Sequence, residues 1–98
     1  MKSKEYILSE IKQAKKDLQN HGVIKVGLFG SYVRGEQSVK SDIDIFVEFE
    51  PAKENFDNLM FAYDILENLF KNEKIEIVTK NGLSPYIGPK ILNEVIYA

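Results

Sequence analysis

Residues 42–49 alternate without a break. Ile43, Ile45 and Val47 fall on one face of an extended chain, and Asp42, Asp44, Phe46 and Glu48 on the other. This pattern predicts a strand over Ile43 to Phe49 that carries two carboxylates on a single face. Upstream, Val23 to Phe29 is short and β-branched at its start, and Gly30 closes it, which predicts another strand. Gly30-Ser31 stands at the end of that strand, and ten residues separate Ser31 from Asp42 at the start of the next. For both ends to serve one site, the two strands must be antiparallel neighbours. A third strand, Lys74 to Val78, repeats the alternation, with Glu76 set against Ile75 and Ile77. It is reached through a helical stripe of Phe56, Leu59, Met60, Tyr63, Leu66, Leu69 and Phe70, expected to be core. A helical crossover of that length predicts that the second and third strands run parallel.

The remaining segments read as helices and turns. Ile7, Ile11, Ala14 and Leu18 recur at helical spacing, with Ser3 as N-cap and Gly22 as stop, giving a helix from about Ser3 to Asn20. His21 is expected to face solvent at its end. Residues 31–35 form a short helix or turn, and residues 36–41 a polar loop. Asn81-Gly82 is a turn, and Ser84-Pro85 reads as a cap with a first-turn proline. Ile91, Leu92, Val95 and Ile96 suggest a last helix after Gly88-Pro89. The order is α-β-α-β-α-β-α. The fold class is α/β in the broad sense (α+β), a small mixed sheet of about three strands with helices packed against it. Nothing divides residues 1–98 into two domains, so one domain is expected.

Composition narrows the chemistry. With no cysteine and one histidine, thiolate sites, disulfides and multi-histidine sites are excluded. A metal would have to be held by oxygen ligands, which favours magnesium, with manganese as the alternative. A net charge of -2 and a pI of 5.4 argue against broad nucleic-acid binding. No apolar run approaches the roughly 20 residues of a membrane span. No signal-peptide pattern opens the chain, so the expected location is cytoplasmic.

A nucleoside triphosphate travels with divalent cations, and nucleotidyl transfer is in-line attack on the α-phosphorus with pyrophosphate leaving. Two metals about 3.5–4 Å apart can polarise the attacking and leaving oxygens, given anionic oxygens on one rigid surface. Asp42 and Asp44 have that arrangement, and Glu76 on a neighbouring strand is the candidate third acid. Gly30 lacks a Cβ and lets phosphate approach the backbone. Ser31 offers a hydroxyl and an N–H, and Arg34 a planar fork for phosphate oxygens. Ser41 either fixes the Asp42 carboxylate or caps the loop.

Gly30-Ser31-Tyr32-Val33-Arg34-Gly35, followed by Ser41-Asp42-Ile43-Asp44-Ile45, resembles the signature of the DNA polymerase beta-like nucleotidyltransferases. Over nearly its whole length the chain resembles their minimal nucleotidyltransferase (MNT) group, including Ile75-Glu76-Ile77-Val78 and the tail from Leu83 to Ile87. The resemblance implies a nucleotidyltransferase fold in which Gly30 and Ser31 bind the triphosphate; Arg34 and Ser41 join them as nucleotide-binding candidates from the residue reading above. It also implies that Asp42 and Asp44 hold magnesium and that the third acid holds one metal and helps deprotonate the acceptor hydroxyl. Family members usually carry aspartate at that third position; this chain has Glu76, one methylene longer.

The resemblance further implies a partner. MNT proteins are often antitoxins paired with a HEPN-domain toxin, and some transfer AMP from ATP onto a tyrosine of that toxin. The alternative is a non-catalytic antitoxin that neutralises its partner by contact. Tyr86 and Ile87 are either core or part of a partner surface. Base preference, acceptor residue and oligomeric state stay open, a homo-oligomer included.

Overall fold

The computed structural model describes residues 2–98. Helix α1 (Lys4–Asn20) begins where Ser3 Oγ accepts a hydrogen bond from the Tyr6 N–H, as its spacing predicts. Ile7, Ile11, Ala14 and Leu18 form its buried stripe. Strand β1 (Val23–Phe29) leads through α2 (Ser31–Arg34) and a loop into β2 (Ile43–Phe49). Helix α3 (Phe56–Leu69), capped by Asn55, carries the chain to β3 (Ile75–Thr79), then α4 (Gly88–Glu94) and β4 (Ile96–Tyr97).

The four strands form one sheet in the order β3-β2-β1-β4. β1 and β2 pair antiparallel and β2 and β3 parallel, as the strand-end and crossover arguments require. One face is covered by α1 and α3. There Ile43, Ile45 and Val47 of β2 join Ile77 of β3, Leu28 of β1, Leu18 of α1 and Leu66 of α3 in one cluster. The opposite face carries a smaller cluster of Phe29, Phe46 and Ile91, with Val78, Leu83 and Val95 packed against it. The carboxylates of β2 and β3 lie on that second, thinly covered face.

The strand count is four rather than about three, because the last helix stops earlier than its apolar spacing suggests. Val95 leaves helical geometry at φ -59°, ψ 131°, and Ile96–Tyr97 turns along β1 instead. The β-branched pair Val95-Ile96 suits an extended chain, and Gly27 makes the docking possible. A Cβ at position 27 would lie 2.6 Å from the Ile96 carbonyl oxygen and 2.6 Å from Val95 Cγ1. The start of the helix also differs. Ser84 Oγ accepts from the Ile87 N–H in a turn, and the first-turn proline of α4 is Pro89, not Pro85.

Two expectations about burial are corrected. On α3, Ala62 and Leu66 are buried, but Phe56 is 73% exposed and Met60 and Phe61 also face outward. The helix covers the sheet with only part of its apolar arc. His21 does not simply face solvent: its ring stacks on Phe61 at 4.3 Å between centroids.

Candidate active site

The site is built at the C-terminal end of β1 and the N-terminal ends of β2 and β3. Asp44 stands opposite Phe29 of β1 on one side and Glu76 of β3 on the other. The alternation that sends Ile43 and Ile45 into the main core sends Asp44 to the second face with Phe46, and Glu76 with Val78. Asp44 is half-buried. Its carboxyl is pushed up to about 6, first by burial, then by the negative charges of Glu76 and Asp42; Arg34 opposes the rise and Glu94 adds to it.

Gly30 occupies φ 80°, ψ -153°, a region essentially reserved for glycine. A Cβ there would collide with Asp44 Oδ2. The residue therefore makes room for a carboxylate of its own chain. The Gly30 carbonyl accepts from the N–H groups of Val33 and Arg34, which starts α2. Its own N–H donates to Glu94 Oε1 at 2.9 Å. Arg34 reaches the same oxygen with Nη1 at 2.7 Å, and donates from Nε to Glu36 Oε1 at 2.8 Å.

The other sequence-derived candidates fall as follows. Ser31 opens α2 directly beside Gly30. Ser41 caps the loop: its Oγ accepts from the Ser38 N–H at 2.9 Å. Asp42 is partly exposed, with Oδ2 4.0 Å from Lys74 Nζ, and Glu76 is exposed. Asp42, Asp44 and Glu76 are close enough in charge to raise the Asp44 pKa. Yet among the described residues no three His, Asp or Glu side chains are gathered as a ready metal-ligand set. The three carboxylates share a surface and do not form a closed cage. Asp44 resists ionisation first because it is half-buried and then because Glu76 and Asp42 stand near it, and a hard divalent cation would relieve that charge, so Asp42 and Asp44 fit such an ion by charge and by ligand type.

Two open cavities flank Asp44, and both are bordered by Phe29, Ile87 and Ile91. One, of about 280 Å³, adds Gly30, Arg34, Lys90 and Glu94. The other, of about 410 Å³, adds Glu76 and the segment Gly82-Leu83-Ser84. Lys90 and Glu94 were not foreseen from the sequence. They sit on a short helix where charged residues are unremarkable; Glu94 bonds Arg34 across 60 positions of chain, and Lys90 lines the same cavity. Only Gly27, a glycine inside a strand, signals that another backbone comes close there.

The whole of this arrangement lies within residues 8–98, which match the family model described as the Nucleotidyltransferase domain. The chain belongs to that family. Among nucleotidyltransferase relatives, the protein adenylyltransferase MntA of Thermococcus cleftensis is 38% identical over 96 residues, covering 95% of this chain and 93% of that one. A solved structure described as that of a minimal nucleotidyltransferase superposes with a TM-score of 0.76 at 28% identity, covering 97% and 95% of the two chains. A crystal structure of a toxin-antitoxin with AMP-PNP superposes at 0.63 and 23% identity, over 92% of this chain and 72% of that one, a likeness of fold. Among the described residues no helix is long and apolar enough to cross a membrane.

Proposed function

We propose that this nucleotidyltransferase transfers AMP from ATP to a hydroxyl of a partner protein, as the antitoxin of a pair whose other member is a HEPN-domain toxin. The observation that carries the reading is the shared face of Asp42, Asp44 and Glu76 beside the Gly30-Ser31 turn and Arg34. The name of the Thermococcus relative supports AMP and a protein acceptor, and the toxin-antitoxin neighbour supports the pairing.

In this reading Asp42 and Asp44, with Glu76, would hold magnesium, which when bound would polarise the attacking and leaving oxygens. Ser31 and Arg34 bind the triphosphate by hydrogen bonds and charge. Glu76 takes the proton of the acceptor hydroxyl. The hydroxyl oxygen forms a bond to the α-phosphorus, the bond from that phosphorus to the bridging oxygen breaks, and pyrophosphate leaves. Positioning and electrostatic stabilisation of phosphate supply most of the acceleration. Ile87, 52% exposed, borders both cavities, and its neighbour Tyr86 is 94% exposed; the pair suits contact with an acceptor protein better than a core role.

The second reading, a non-catalytic antitoxin, draws support from the exposed Glu76 and the ungathered carboxylates. One experiment separates the two. The chain is mixed with a HEPN-domain candidate partner, ATP and magnesium, and the partner is weighed by mass spectrometry. Added mass in units of AMP, lost with Asp44→Asn, supports the enzyme; tight association with no added mass supports the contact inhibitor.

A further inference from the structure

Glu94 lies outside every motif of the sequence, yet it joins the two parts of the candidate phosphate site. Its Oε1 accepts from the Gly30 N–H at 2.9 Å and from Arg34 Nη1 at 2.7 Å. The carboxylate is well shielded, at 14% exposure, while the arginine is 44% exposed. One oxygen thus ties the backbone of the turn to the guanidinium that follows it by four residues. We infer that Glu94 is a positioning residue: it holds Arg34 and the Gly30 turn in the one arrangement that receives the β- and γ-phosphates. The inference rests on the functional reading above.

The physical need is clear. Arginine is long and rotamer-rich, and ordering it at the moment of binding costs side-chain freedom. Glu94 and Glu36 hold it beforehand, using two of its five N–H donors and leaving three for a ligand. Charge-assisted bonds of this kind are the strong ones. The support under Glu94 is itself rigid. It is the last residue of α4, and the chain beyond it pairs at once with β1, Ile96 opposite Leu28 and Tyr97 opposite Gly27. The Ala98 N–H then donates to the Val26 carbonyl at 2.9 Å. The bare Gly27 lets this segment lie close enough to bring Glu94 over the turn.

A competing physical picture makes the opposite prediction. A carboxylate on a phosphate-binding arginine could act as an internal rival of phosphate, and its removal would then tighten binding. The sign of the effect decides between them. Wild type, Glu94→Ala and Glu94→Gln are titrated calorimetrically with magnesium and the non-transferable α,β-methylene analogue of ATP, and separately with AMP. Positioning predicts about ten-fold or greater weakening of the triphosphate analogue in E94A, the scale of one lost charge-assisted bond. It predicts unchanged AMP binding, because AMP has no phosphate beyond the α position, and substantial recovery in E94Q, which keeps an accepting oxygen. A merely structural defect would weaken both ligands together and would overturn the inference. So would an E94A chain that binds the triphosphate as tightly as wild type or more tightly. Should E94A fail to fold, Glu94→Asp, which keeps the charge but shortens the reach, takes its place with the same expected sign. A wild-type chain that binds no magnesium triphosphate fails the functional reading itself, a result distinct from failure of the Glu94 role alone.

Discussion

Gly30 and Asp44 are fitted to one another: the space that a β-carbon at position 30 would need is filled by the Asp44 carboxylate. The same glycine sits at a positive φ of 80° that other residues avoid. Gly30→Ala therefore carries both backbone strain and a collision with a candidate metal ligand. The expected loss is about 1–3 kcal/mol in urea unfolding from strain alone. Nucleotidyl transfer should fall to background, because relief of the collision must move Asp44. A G30A chain with wild-type stability and transfer would show that this fit does not matter.

Asp44 also makes stability depend on pH. Its ordinary value of 3.8 is raised in the fold to about 6. Between those values the folded chain binds a proton that the unfolded chain has lost. Stability therefore falls as pH rises through this window, and above pH 6 the cost is complete. Asp44→Asn removes the charge and should stabilise the metal-free protein at pH 8 while changing little near pH 4. For a half-buried group, discounted for solvent screening, the gain is about 1 kcal/mol. That corresponds to roughly 4–8 °C in a domain of this size. Melting curves at pH 4, 6 and 8 read it directly. An Asp44→Asn variant that melts no higher than wild type at pH 8 contradicts the assignment.

Much of this was legible because strand alternation is a strong signal. The run from Ile43 to Glu48 announces its own two faces, and the positions of Ser31 and Asp42 force β1 and β2 antiparallel. Glu76 could be named as the third acid on a neighbouring strand because β2 and β3 alternate alike, and the register that sets it opposite Asp44 comes from the fold. Glu94 could not be found this way. Its partners are remote in sequence, and its position depends on a two-residue strand too short to have a period. Phe56 and Met60 misled for a related reason: helical spacing shows that residues share a face, not how wide an arc the sheet can cover.

Gly27 links the C-terminal strand to the site, and filling it should show the connection. Gly27→Val introduces a side chain where Ile96 and Val95 now pass. Overpacking of this kind costs about 1–3 kcal/mol. If β4 is displaced, Glu94 goes with it, so triphosphate binding should weaken along with stability. Calorimetric titration beside thermal melting tests the pairing of the two losses. A G27V chain that is destabilised but binds the triphosphate normally would separate β4 from the site.

Tyr86, next in sequence to the cavity-lining Ile87, is almost fully exposed, so its loss should be silent in the isolated chain. Tyr86→Ala is expected to alter stability by less than about 0.5 kcal/mol and to leave magnesium-ATP binding unchanged. Transfer to the partner protein should slow, with the loss in KM for the acceptor rather than for ATP. Steady-state kinetics with each substrate varied in turn makes the distinction. An unchanged KM for the acceptor would remove Tyr86 from the docking surface.

The central claim is that Asp42 and Asp44 hold the divalent cations of a bound nucleotide. The most direct measurement is electron paramagnetic resonance of manganese titrated into the protein with the α,β-methylene analogue of ATP. Wild type should take up manganese saturably, beyond what the nucleotide alone binds, and the Asp42→Asn/Asp44→Asn double variant should lose that excess while keeping its fold. Equal manganese uptake by the folded double variant would contradict the account.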